Sequence, residues 1–209
     1  MPSRGDARKA GAAEGTTDEA ATGGRGTEIL AGLEHVFLRE GFRRVTVGEL
    51  ASRLHCSRRT LYDLASSKEE LFALVLGRLL GRIERLGEEA LESEASSHER
   101  IAAFVRPAIT EPMAGTAAFF ADIASLPATR TLLEEHQESR LKILRDLVAE
   151  GVRRRECRDV HAEVAAQAML AAYRAIIDPA FLMSVDTSLS EALREVEGLF
   201  LHGLLHPEF

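Results

Sequence analysis

From residue 27 onward the apolar positions repeat with a helical period. Ile29, Leu30, Leu33, Val36 and Phe37 lie along one face of a helix. Thr27 can cap its start, and Gly41 stands where a glycine ends a helix. Thr46 opens a short second helix: Glu49, three residues on, completes a capping box, and Val47, Leu50, Ala51 and Leu54 form the apolar stripe. A turn at His55–Cys56 follows, and Ser57 caps a third helix carrying Thr60, Leu61 and Leu64. Ser66–Ser67 stops that helix, and Ser67 with Glu70 forms a capping box for a long helix running from Lys68 toward Ser93. Its apolar side is Leu71, Phe72, Val75, Leu76, Leu79, Ile83 and Leu86.

The same texture covers Ser97–Ile109, Thr116–Ser125, Pro127–Arg155, Val160–Met183 and Ser190–Leu205, with a kink expected at Asp178–Pro179. Nothing alternates apolar with polar long enough for a sheet. The pattern predicts an all-α chain, an N-terminal three-helix unit joined to a larger helical domain. Residues 1–24 contain no Leu, Ile, Val or Phe and are expected to form a flexible tail, whose Arg4, Arg8 and Lys9 could at most touch a DNA backbone loosely. The expected division is then 1–24, 25–71 and 72–209.

Charge changes the picture once its distribution is considered. The 209 residues carry a net charge of −7, which by itself opposes nucleic-acid binding. Between Arg39 and Tyr62, however, stand Arg39, Arg43, Arg44, Arg53, Arg58 and Arg59 against only Glu40 and Glu49. A basic segment is embedded in an acidic chain. Trp is absent and Tyr occurs twice, which disfavours aromatic-rich β architectures. Two cysteines cannot build a disulfide framework. With no apolar leader and no apolar run of membrane-spanning length, a cytoplasmic protein without a membrane partner is expected.

The segment Thr46–Tyr62 has the anatomy of a helix-turn-helix, in which a short helix supports a second one that enters the major groove. The exposed positions of that second helix are Ser57, Arg58, Arg59 and Tyr62. Arg pairs bidentately with guanine, and Ser and Tyr suit phosphates or bases. Arg43, Arg44 and Lys68 flank the unit and suit phosphates. Thr46 and Thr60 complete the candidate set, Thr60 more as a brace than as a base reader.

The stretch Ile29–Leu71 resembles the DNA-binding domain of the TetR family of bacterial repressors. The resemblance rests on Phe37 to Gly41, Thr46–Val47, Leu50–Ala51, Ser57 to Thr60–Leu61–Tyr62, and Ser67–Lys68–Glu69 to Leu71, in the family's order and spacing. It covers about a fifth of the chain. Three positions depart from the pattern: His55 replaces the usual turn glycine, Ala65 the usual aromatic after the recognition helix, and Arg59 a small residue within it. Operator preference therefore does not carry over.

The resemblance implies a homodimer on a palindromic operator, released by a small-molecule effector that enters the C-terminal domain. The apolar faces there could enclose a pocket, for which Phe104, Phe120, Met169 and Tyr173 are the nominated lining residues. Ordinary core packing is the competing reading of each. The last two helices, with Ala165, Ala166, Ala168, Ala171 and Ala172 and with Leu189, Leu193, Val196, Leu199, Phe200 and Leu204, could pair across a two-fold axis.

Other chemistries find little footing. There is no HExxH, P-loop, GxGxxG or GxSxG, so no enzyme, cofactor or metal is expected. His202 with His206 and His161 with Glu163 are too sparse for a metal site. Cys56 reads as a small apolar residue in the turn, and Cys157, after three arginines, as a surface residue. A helical interaction module without a DNA role is the remaining alternative, supported by net charge alone.

Overall fold

In a computed structural model the protein is described over residues 16–92, 96–111 and 115–204, with side chains from residue 24 onward. Among these residues lie ten α-helices and no strand: α1 (Thr16–Glu40), α2 (Val47–Arg53), α3 (Arg58–Leu64), α4 (Lys68–Glu89), α5 (Ser97–Thr110), α6 (Ala117–Ser125), α7 (Pro127–Arg154), α8 (Ala162–Ile176), α9 (Pro179–Ser184) and α10 (Leu189–Leu204), with a single 3₁₀ turn at Ala90–Glu92. The all-helical reading holds. Most of the expected tail, 1–15, lies outside the described residues, as do Met113 and His206.

The helix caps follow from the sequence. Thr46 and Glu49 form the full reciprocal box, and Ser57 Oγ accepts from the Thr60 N–H. Gly41 ends α1 at φ +78°, its N–H donating to the Phe37 carbonyl at 2.9 Å. His55 takes the left-handed turn at φ 49°, as the motif requires.

Three expectations are corrected. The first helix starts at Thr16, not at a Thr27 cap; its N-terminal extension, exposed from Gly24 to Glu28 apart from a half-buried Gly26, simply continues the helix that the buried face anchors. At the start of α4, Ser67 caps the Glu70 N–H, but the Glu70 carboxylate accepts from the N–H and hydroxyl of Ser66, so the box is split between two serines. The expected kinked helix at 160–183 is two helices. Asp178 takes two N–H groups, those of Ala180 and Phe181, and Pro179 begins α9, so the chain caps and restarts instead of bending.

A continuous apolar core joins the N-terminal head (α1–α3) to the body. At its centre Phe72 of α4 stacks on Phe42 with ring centroids 4.8 Å apart and meets Phe37 and Phe119 edge-on at 5.5 and 5.8 Å. These rings come from α1, the loop after it, α4 and α6. Helix α4 runs through the expected boundary at residue 71 and contributes to both regions.

Candidate nucleic-acid interface and ligand cavity

Helices α2 and α3 meet through Leu50, Ala51 and Leu61, all buried. The turn between them is fastened by the Cys56 N–H on the Ala51 carbonyl at 3.0 Å. That packing turns Ser57, Arg58, Arg59 and Tyr62 outward, with Tyr62 49% exposed. Arg59 and Arg44 are exposed and make no ion pair with any described residue. The Arg58 guanidinium lies back over Gly48 at the start of α2. Ser57 and Thr60 share a hydroxyl–hydroxyl bond of 2.8 Å, and the Thr46 hydroxyl donates to Glu49 at 2.9 Å. Sequence reasoning missed Arg25: on the N-terminal extension of α1, it donates to the His55 carbonyl at 3.1 Å and so adds a cation beside the turn.

Two of the flanking cations have internal partners. Lys68 donates its ammonium to the Val45 carbonyl at 2.9 Å and sits 5.1 Å above the Phe42 ring. Arg43 is held at 3.6 Å by Asp122 of α6. The same buried carboxylate accepts the backbone N–H groups of Phe42 at 2.7 Å and Arg43 at 3.3 Å. A Cβ on Gly41 would meet Asp122 Oδ2 at 2.6 Å, so this glycine is demanded twice, by its φ and by the approach of α6. Nearby, Thr116 donates both its N–H and its hydroxyl to the Leu38 carbonyl, at 3.0 and 3.2 Å. Arg82 of α4 bonds Glu34 of α1 at 2.6 and 3.2 Å and also Glu111 after α5; these bonds hold its guanidinium pKa above the usual range. Head and body are thus clasped by polar groups around the aromatic cluster.

In the body, α4, α5, α7 and α8 surround a cavity with about 590 Å³ of unfilled space, its mouth included. Phe104, Met169 and Tyr173 are among its lining residues. Phe120 is not. It is buried as well, but it faces a separate groove with Ile123, Arg130 and Arg174, while its neighbour Phe119 packs on Phe72. The residues that sequence reasoning missed are the polar ones, His136, Gln137 and Arg140 of α7. Their signal was spacing: they interrupt the apolar stripe of Leu133, Leu141 and Leu144 on a single helix.

Burial sets their charge states. It pushes the His136 imidazole down to about 4, helped by the neighbouring Arg140 charge, so His136 is neutral at pH 7. It pushes the Tyr173 phenol up to about 12 and the Arg140 guanidinium down to about 10, which leaves Arg140 protonated. At neutral pH the cavity is apolar with one cation.

Among the described residues no cluster of three or more His, Cys, Asp or Glu could hold a metal, and no helix is long and apolar enough to cross a membrane. Cys157 is buried, not at the surface, with Sγ packed on Gly151 and burial raising its thiol pKa.

Comparison with known proteins fits this geometry. The family model for bacterial regulatory proteins, tetR family, matches residues 29–75. No curated protein sequence matches the chain. Among solved structures, a protein from Saccharomonospora viridis in complex with choline superposes with a TM-score of 0.71 at 16% identity, over 88% of this chain and 99% of that one. PfmR, a TetR family transcriptional regulator from Thermus thermophilus, gives 0.61 at 25% identity over 85% and 99%. The regulator FadR from Bacillus subtilis, in complex with stearoyl-CoA, gives 0.64 at 18% over 85% and 98%. With the helix-turn-helix motif, its caps and its exposed basic helix all in place within the matched segment, residues 29–75 are similar to the DNA-binding domain of the tetR family of bacterial regulatory proteins, and the whole chain shares the fold of solved transcriptional regulators.

Proposed function

We propose that this regulator is a cytoplasmic repressor that binds a palindromic operator as a homodimer and lets go when a small molecule occupies the body cavity. The observation that carries the reading is the pairing of an outward basic helix, α3, with a cavity connected to it through one continuous core. Residues 25–71 act as the DNA-binding part and 72–209 as the ligand and dimer part. Arg58 and Arg59 read bases, Ser57 and Tyr62 contact bases or backbone, and Arg44 and Arg25 face phosphates. Thr46, Thr60, Arg43 and Lys68 hold the geometry, since each already has an internal partner.

Exposed apolar groups on the last long helices support the dimer. Val164 of α8 is 65% exposed and Leu199 of α10 76%, and Ala168 and Ala171 are exposed beside them. A two-fold axis there would set two α3 helices against half-sites roughly 34–36 Å apart. Release is linkage: a ligand that favours a different arrangement of α4 and α6 draws population from the DNA-binding spacing, with the Asp122 and Arg82 clasps as the transmitting contacts. The relatives' ligands, choline and stearoyl-CoA, are chemically unlike each other, so neither is assigned to this chain.

The test is binding to DNA immediately upstream of the protein's own gene across a salt series. Specific binding that falls steeply with salt is expected, and an Arg58→Ala/Arg59→Ala double variant should lose about tenfold to several hundredfold in affinity. Sequence-independent binding by both proteins would overturn the reading of α3.

A further inference from the structure

Arg140 is placed at some expense. It reaches from α7 into the wall shared by α4 and α5, donating to the Phe104 carbonyl at 2.5 Å and the Ile83 carbonyl at 3.4 Å, with its guanidinium carbon 4.1 Å from the Phe104 ring centroid. Gly87 makes the room: a Cβ there would meet Arg140 Nη1 at 2.9 Å. A glycine within a helix is disfavoured relative to alanine. Yet no described carboxylate pairs with this cation within ion-pair distance; Glu84 is close enough only to act at longer range. Arg140 has five N–H donors, and carbonyls take only some of them.

A second observation points the same way. Gln137, one residue from the neutral His136 and on the same cavity wall, is 6% exposed. Its Oε1 accepts from Arg174 at 2.7 Å, while its Nε2 is buried without a partner among the described residues. A buried unsatisfied donor is costly unless something fills it. The Tyr173 hydroxyl also lines the cavity and reaches only the Ala108 carbonyl, at 3.5 Å. Arg140 and the Gln137 Nε2 bring pure donors to this wall, beside the neutral His136, which has one donor and one acceptor, and all are surrounded by Leu80, Leu141 and Met169.

We propose that the effector is an amphipathic monocarboxylate whose head group takes the free N–H groups of Arg140 and the Nε2–H of Gln137 while its apolar body fills the remaining cavity. This rests on the reading of that cavity as the effector site. The planar guanidinium matches a carboxylate's two oxygens, and pairing restores the counter-charge that the fold omits. A cation is opposed by Arg140, and a neutral alcohol leaves the charge unpaired.

The experiment is calorimetric titration and thermal melting of the full chain with decanoate, decanol and decylammonium at neutral pH. Decanoate should bind about tenfold or more tightly than decanol, and decylammonium more weakly than either. In Arg140→Gln the acid and the alcohol should bind within about twofold of each other. Gln137→Leu should narrow the preference without abolishing it, and it decides the matter should Arg140→Gln fail to fold. Equal binding of acid and alcohol by the wild-type protein overturns the carboxylate assignment and leaves the cavity reading standing. Absence of binding by all three, or binding untouched by Met169→Trp, which fills the cavity, overturns both.

Discussion

Head and body both cap their helices locally, but the body adds side-chain bonds that span more of the chain than the 30 residues of the head's Arg25–His55 bond. In the head, the caps close within three or four residues: Thr46 with Glu49, Ser57 with Thr60, and the Ser66–Ser67 pair with Glu70. In the body, Arg140 reaches 36 and 57 residues back, Arg174 bonds 37 back to Gln137, and Tyr173 reaches 65. Two of the clasps that join the regions are longer still, Asp122 with Phe42 across 80 residues and Thr116 with Leu38 across 78, while the Arg82–Glu34 clasp spans 48. Local bonds make the head a rigid tool of fixed shape. Long-range bonds tie the body and its joint together across the chain, which is where the proposed effector linkage would act.

The sharpest way to break that comparison is to remove what both regions share. Phe72→Ala deletes the ring at the centre of the aromatic cluster and should cost about 3–5 kcal/mol in denaturant unfolding. If head and body are one cooperative unit, the transition stays single and moves to lower denaturant. Two separated transitions would show that the regions fold apart.

Next in size is the joint itself. Asp122→Ala leaves the Phe42 and Arg43 N–H groups without their acceptor and should cost about 2 kcal/mol, with Phe42 buried and Arg43 more exposed. The more telling readout is coupling: in the variant, effector should still bind but should release DNA less completely. Undiminished release would remove Asp122 from the transmission path.

These two regions also explain what could be read in advance. The head was legible because Thr46, Glu49, Ser57, Gly41 and Leu61 act through short-range rules: caps, a left-handed turn, a buried stripe. Even the departure at His55 adopted the turn its position demanded. In the body, Phe104, Met169 and Tyr173 stood out as residues of an apolar face, but nothing local separated Phe120 from the cavity wall, since it is buried beside Phe119 and only the packing partner decides which space each ring faces. Asp122, Arg82 and Arg140 were invisible for the same reason. A charged residue on a helix reads as solvated until another element, dozens of residues away, is seen against it.

The pH dependence separates the regions again. The His136 pKa is lowered to about 4 from 6.5, so between those values the unfolded chain binds a proton that the native body excludes. Stability supplied by neutral His136 is complete above about 6.5 and lost as pH falls toward about 4. In the head, Glu49 and Glu70 are lowered from 4.5 by bonds to Thr46 and Ser66, so their contribution is full above 4.5 and disappears only below it. Acid should loosen the body first. NMR titration of His136 and melting curves on either side of pH 6.5 check this, and His136→Phe should flatten the upper part of the profile. A His136 that titrates at its ordinary value would end the argument.

The smallest effects distinguish a surface cation from an engaged one within the head. Arg44 is exposed with no internal ion-pair partner among the described residues, whereas Lys68 is engaged by the Val45 carbonyl and the Phe42 ring. Arg44→Ala should leave stability within about 0.5 kcal/mol and reduce the salt slope of DNA binding by about one phosphate contact. Lys68→Ala should do the reverse: a loss of about 1 kcal/mol in stability, from the bond and the cation–ring contact, with the salt slope nearly unchanged. The pair is informative because both residues carry the same charge in the same basic neighbourhood. If Lys68→Ala lowers the salt slope as much as Arg44→Ala does, its ammonium leaves the Phe42 ring to meet the phosphate, and the head is less rigid than its short-range caps imply.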